Sequence, residues 1–168
     1  MALLGTTLET RRDLYVFKLG AALKMEKTIL DMLPQLEEEA SHGELESALR
    51  MHRGQTENHV RNLERAFELL GEDTDEQTCP AIEGLEKEGQ ANLKMVDEAL
   101  KDAVIVSAVT ETEHHEIAVY EGLITTGQAL GEHEVVGVLQ LNLADERDAL
   151  QRAQTIAQFL AQGLPPAA

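Results

Sequence analysis

Four segments of this chain carry apolar residues at the three-to-four spacing of a single helix face, and each stripe is broken near its middle by side chains able to bind a metal. The first runs Leu19, Leu23, Glu26, Leu30, Leu33, and the second Leu45, Leu49, His52, Gln55, His59, Leu63, Phe67. The third runs Ile105, Val109, Glu113, Glu116, Tyr120, Leu123, and the fourth Leu139, Leu143, Glu146, Leu150, Ala153, Leu160. An ionised carboxylate is almost never buried alone, because its desolvation is too costly without a partner. The pattern therefore calls for a cation among the inward-facing glutamates.

The punctuation between the stripes gives the topology. The first helical pattern spans about Leu8 to Ala40, with Pro34 expected to kink or end it. Ser41-His42-Gly43 supplies a turn, and Glu44 opens a helix that ends at Leu70 before Gly71. A polar connector, Glu72 to Pro80, leads to a weaker pattern from Ala81 to about Leu100, diluted by Gly84 and Gly89. Asp102 is a candidate cap for the next helix, which continues towards Leu130 and Gly131. The last helix runs from about Glu132 to Gln162, and Gly163, Pro165 and Pro166 end it. The expected fold is all-α: a ferritin-like four-helix bundle, two hairpins joined by a connection that carries a short crossover helix between helices two and three. Residues 1–7 read as an N-terminal tail, 8–163 as the helical domain and 164–168 as a C-terminal tail.

Composition narrows the partners. The 168 residues allow one domain with a substantial core. Thirty-one acidic residues against 14 basic ones give a net charge of -17, which argues against nucleic acid and anionic membrane surfaces. Much of that acidity, as at Glu37, Glu38 and Glu39, is a solvated face. The single cysteine, Cys79, cannot form an internal disulfide or a thiolate metal site, and reads as a buried connector residue. With no signal peptide pattern and no apolar run long enough to span a bilayer, a cytoplasmic protein is expected.

Counting outward from the hairpin turns sets the heights of the interruptions. Glu116 and Glu146 are equally far from Gly131, while Glu26 and His59 are nearly equally far from Gly43, with Gln55 one turn short. A lone glutamate in a stripe is ordinarily a boundary residue reaching for solvent, but four at matching heights form a cluster. Glu113 and Glu116, three apart, share one face and can chelate or bridge. Four carboxylates balance two divalent ions, and carboxylate with imidazole suits iron or manganese, with zinc as the alternative. Such a site points to redox chemistry with oxygen or peroxide. His52 and His59 are read either as ligands or as core histidines bonded to a carbonyl. Gln55, being neutral, is suited to holding a metal-bound water. Of His114 and His115, at least one must face a neighbouring helix or solvent. Tyr120 is placed to donate to a ligand carboxylate, and Glu88 on the crossover is a candidate extra ligand.

At these same residues the chain resembles the YciE/YciF family of bacterial ferritin-like proteins. The resemblance rests on Met25-Glu26-Lys27, on His52-Arg53-Gly54-Gln55-Thr56, on Cys79-Pro80-Ala81-Ile82-Glu83-Gly84-Leu85, and above all on Glu113-His114-His115-Glu116-Ile117-Ala118. It implies a rubrerythrin-type bundle, a two-metal centre, homodimers and an association with bacterial stress responses. The Glu113-x-x-Glu116 pair matches the third bundle helix of rubrerythrin-like sites. Gln55 departs from it, standing where the family usually has Glu, and Asn58 stands where ferritin-like sites usually have His. The readings carried forward are a dinuclear iron or manganese protein acting on oxygen or peroxide, and a structural bundle with a degenerate or empty site.

Overall fold

The computed structural model describes residues 7–163, and the two expected tails fall almost wholly outside them. Five α-helices and a short 3-10 turn account for the architecture: α1 (Arg11–Glu39), α2 (Gly43–Leu70), α3 (Pro80–Leu93), α4 (Lys101–Leu130) and α5 (His133–Gly163), with the turn at Glu98–Leu100. Among the described residues there is no strand, and no helix is long and apolar enough to cross a membrane.

Local chemistry fixes the helix ends. Thr10 and Asp13 form a reciprocal capping box at the start of α1, satisfying amides that would otherwise lack partners. Gly71 and Gly131 adopt φ of 68° and 79° after α2 and α4, a left-handed turn that a side chain would disfavour. Pro80 opens α3 at a position where its missing N–H costs nothing.

Pro34 does not end α1, which continues to Glu39. The hydrogen bond it forfeits is offset by packing of Leu33 and Leu36 against the core. Asp102 does not cap α4 either; its carboxylate accepts from the Ser41 amide at 2.8 Å and the Ser41 hydroxyl at 2.6 Å. It ties the α1–α2 turn to the start of α4. The crossover helix stops at Leu93, earlier than its pattern suggested, and Lys94–Asp97 lead irregularly to the 3-10 turn.

These ties give the chain path. Arg12 at the start of α1 bonds the Leu70 carbonyl and pairs with Glu72 and Glu132, gathering the end of α2 and the start of α5 at one end of the bundle. Ser41 and Asp102 meet at the other end. Helices α1 and α5 therefore run one way and α2 and α4 the other, so α1 packs antiparallel to α2 and α4, and α5 to α2 and α4. The connector 72–79 climbs back along α1: the Asp75 carbonyl and Gln77 lie over Gly20, and Glu76 pairs with Lys27. Helix α3 then packs outside, against α4 and α1. The core is made by Leu19, Leu23, Leu49, Leu63, Ile105 and Leu139, each at most 2% exposed, above and below a polar layer.

Candidate metal centre

That layer contains Glu26, His52, His59, Glu113, Glu116 and Glu146, all buried, with four of them at 0% exposure. Burial of six ionisable groups in one layer follows from register: they are inward positions of four antiparallel helices, at the heights expected from the hairpin turns. His52 Nε2 lies 3.3 Å from Glu113 Oε1, and His52 Nδ1 lies 3.9 Å from Glu146 Oε2. His59 Nδ1 lies 3.4 Å from Glu26 Oε2 and 2.9 Å from Glu146 Oε1.

Close approach is not the same as pairing. Both oxygens of Glu116 and of Glu146, one each of Glu26 and Glu113, and Nδ1 of both histidines make no hydrogen bond. Buried polar atoms without partners are rare and demand an explanation, and here they all belong to groups that bind metals. Ligand atoms of His52, Glu113, Glu116 and Glu146 lie within 4.8 Å of one another, as do those of Glu26, His59 and Glu146. Two donors to one ion are separated by at most about twice a metal–ligand bond of roughly 2.0–2.4 Å, so both groups meet the condition for a single ion each. Glu146 belongs to both. Four carboxylates and two imidazoles fit two divalent cations in charge and in donor type.

The electrostatics of the bare protein point the same way. Burial, with Glu146 nearby, pushes the Glu113 carboxyl up to about 10. Burial and Glu146 also raise Glu26, and burial with the surrounding glutamates raises Glu116 well above the carboxylate range. His52 is lowered to about 4 by burial, partly opposed by Glu26. Burial alone would lower His59 too, but Glu146 and Glu26 outweigh it and raise the ring above its ordinary value. Without a cation, the layer holds its charge down by keeping protons.

A supporting set of hydrogen bonds orients the layer. The Tyr120 hydroxyl donates to Glu26 Oε1 and accepts from Asn142 Nδ2 at 2.9 Å. Asn142 in turn accepts from Asn62 at 2.7 Å. Asp145 Oδ2 lies 3.3 Å from the outer nitrogen of His59, Nε2, leaving Nδ1 facing the carboxylates. Asn142 and Asp145 were not among the sequence candidates. Asn142 carried a signal, since it stands one turn before Glu146 as a polar break in the same stripe, whereas Asp145, beside Glu146 off the stripe, carried none.

Other candidates lie elsewhere. Gln55 is only half-buried and lines a small cavity beside His52 and Glu113; the fully buried position is Thr56, whose hydroxyl bonds the His52 carbonyl at 3.0 Å. His114 is exposed, and His115 is half-buried with an unpartnered Nε2. Glu88 is exposed on the outer face of α3 and joins neither group. Cys79 is buried at the entry to α3.

A sequence profile for a family described as a domain of unknown function, DUF892, matches residues 10–163. The chain belongs to the DUF892 family. It is 25% identical over 142 residues to protein YciF of Escherichia coli (strain K12), covering 83% of this chain and 86% of that one. Within the solved structures, the fold of this chain is similar to that of YcfI from Rhodopseudomonas palustris, described provisionally as a structural protein, at 31% identity and a TM-score of 0.88. The match covers 91% of this chain and 98% of that one. The crystal structure of the E. coli stress protein YciF superposes with a TM-score of 0.87 at 23% identity, over 92% and 98% of the two chains. A protein from Xanthomonas campestris pv. campestris str. ATCC 33913 shares the fold at a TM-score of 0.65 and 23% identity, over 92% and 99%. The all-α bundle is therefore a fold this chain shares with these solved structures.

Proposed function

We propose that this DUF892 protein is a stress-associated metalloprotein holding two iron or manganese ions and acting on oxygen or peroxide. The observation that carries the reading is the pair of buried donor groups joined at Glu146, whose oxygens have no partner in the protein. Glu113, Glu116 and His52 would hold one ion, Glu26 and His59 the other, with Glu146 common to both. Bound iron or manganese would supply electron transfer to oxygen or peroxide at a position closed to bulk water. The protein's own contribution is positional. Tyr120 holds Glu26 from outside the cluster, and Asp145 fixes the His59 ring while its half-exposed carboxylate links Nε2 to solvent for proton exchange. The stress association comes from the YciF relative, and the homodimer is part of the same proposal, checked by light scattering.

A second reading keeps the bundle and drops the metal: a structural protein, in line with the description of YcfI. Elemental analysis of the purified protein, before and after anaerobic loading with iron(II) or manganese(II), separates the two. About two ions per chain, lost in a Glu26→Ala, Glu146→Ala double variant, supports the dinuclear reading. No retained metal after loading leaves the structural one.

A further inference from the structure

The His52–Glu113 side of the layer is bordered by a cavity of about 40 Å³ beneath the crossover helix, between α1, α3 and α4. A water needs roughly 10–15 Å³ of such space, so about three water-sized units fit. The walls are mostly aliphatic, with Ile29 and Leu33 from α1, Leu85 and Leu93 from α3, and Ile105 and Val109 from α4, and Glu86 and Thr112 as polar members. The polar floor is His52 and Glu113, 6% and 1% exposed, with His52 Nδ1 and Glu113 Oε2 unpartnered. On the outer side stand the exposed residues Gln35 and Gln90.

We propose that this cleft is the port through which a small, uncharged, apolar molecule of the size of dioxygen reaches the His52–Glu113 side of the centre. Above that floor the mostly aliphatic walls offer few polar partners to a hydrated ion, which would lose most of its water without compensation. An apolar diatomic gives up little on entering, and apolar cavities of this kind stay open to such guests. Helix α3 suits the role of a roof. Only Ile82 and Leu93 of its residues are buried, and Gly89 lies over Ala108, where a Cβ would make ordinary contact with the Ala108 methyl at 3.6 Å. The identity of the guest as an oxidant rests on the proposed metal function, but its class rests on the cleft alone.

Xenon, an apolar probe that needs no metal, tests the port in the metal-free full chain by crystallography under gas pressure. Xenon is expected in the cleft of the wild type, absent in Ala108→Leu, which fills it, and more fully occupied in Leu85→Ala, which widens it. The iron-loaded Ala108→Leu protein is expected to keep its metal content and to be oxidised by dissolved oxygen several-fold more slowly. An empty cleft in the wild type, or unchanged oxidation in an Ala108→Leu protein whose cleft is seen to be filled, overturns the port. If no metal is retained while xenon enters, the port stands and the metal reading falls.

Discussion

His59 Nδ1 and Glu146 Oε1 approach to 2.9 Å across α2 and α5, without the alignment of a hydrogen bond. Under the proposed function these two side chains are co-ligands of one ion. Because Glu146 also belongs to the His52 group, its loss is expected to cost both ions. Glu146→Ala should retain no metal after loading, whereas Glu26→Ala should keep about one ion per chain, held by the four-residue group. Metal content by mass spectrometry reads the difference; equal losses in both variants would contradict a shared Glu146.

The metal-free protein should weaken as pH rises. Glu113 is raised to about 10 in the folded state from 4.5, so the folded form binds more protons across that interval and stability falls with increasing pH. Glu26 and Glu116, raised in the same direction, add to the slope. His52 acts oppositely: lowered to about 4 from 6.5, it removes stability as pH falls through that window. A melting-temperature maximum near the acidic side of neutrality is expected, with decline towards pH 10. Glu116→Gln, which mimics the protonated acid, should flatten the alkaline decline, and saturating metal should reverse it.

Asp145 is expected to matter for metal affinity and hardly for folding. Its side chain is 41% exposed, so removing it leaves little unsatisfied, yet it lies 3.3 Å from Nε2 of His59, where a carboxylate favours a proton on that nitrogen and leaves Nδ1 free to ligate. Asp145→Ala should weaken binding at the His59 group by about 10–100-fold, as loss of such supporting bonds does elsewhere. Competition with a chelator of known affinity measures it.

Tyr120 and Asn142 should behave as a unit. Tyr120→Phe leaves Glu26 and the Asn142 amide short of a buried partner, which costs about 1–3 kcal/mol. Asn142→Ala should cost a similar amount, and the double variant less than the sum, because the bond between them can be lost only once. Urea denaturation of the four proteins closes the cycle.

Two glycines inside helices should respond in opposite ways. A Cβ at Gly20 would meet the Asp75 carbonyl oxygen at 2.3 Å, so Gly20→Ala is expected to destabilise by about 1–3 kcal/mol. At Gly54 a Cβ meets nothing within 4 Å, and Gly54→Ala should stabilise by about 0.5–1 kcal/mol. Thermal melts of both variants decide it.

Much of this arrangement was legible because it depends on period and count. Inward glutamates at equal distances from Gly43 and Gly131 had to meet, and Glu26 with His59, like Glu116 with Glu146, did meet. Phase within a stripe was less legible. Where two apolar residues are adjacent, tertiary packing chooses, and it chose Ile29 over Leu30. On α2, likewise, Thr56 is buried and Gln55 is left at the edge. Asp102 and Asp145 were invisible as partners because their bonds join residues far apart in the chain, at Ser41 and His59.

The connector over Gly20 also bears on the handedness of the bundle. A pair of antiparallel hairpins with these apolar faces could be joined with the return segment on either flank, giving two bundles of opposite hand that bury the same stripes. Laying the backbone of Asp75 directly against α1, where Gly20 has no side chain to hold it off, and fastening Glu76 to Lys27 commits the return to one flank. The missing methyl at Gly20 thereby lets the return segment lie flush on the flank it occupies, and a side chain there would push it off.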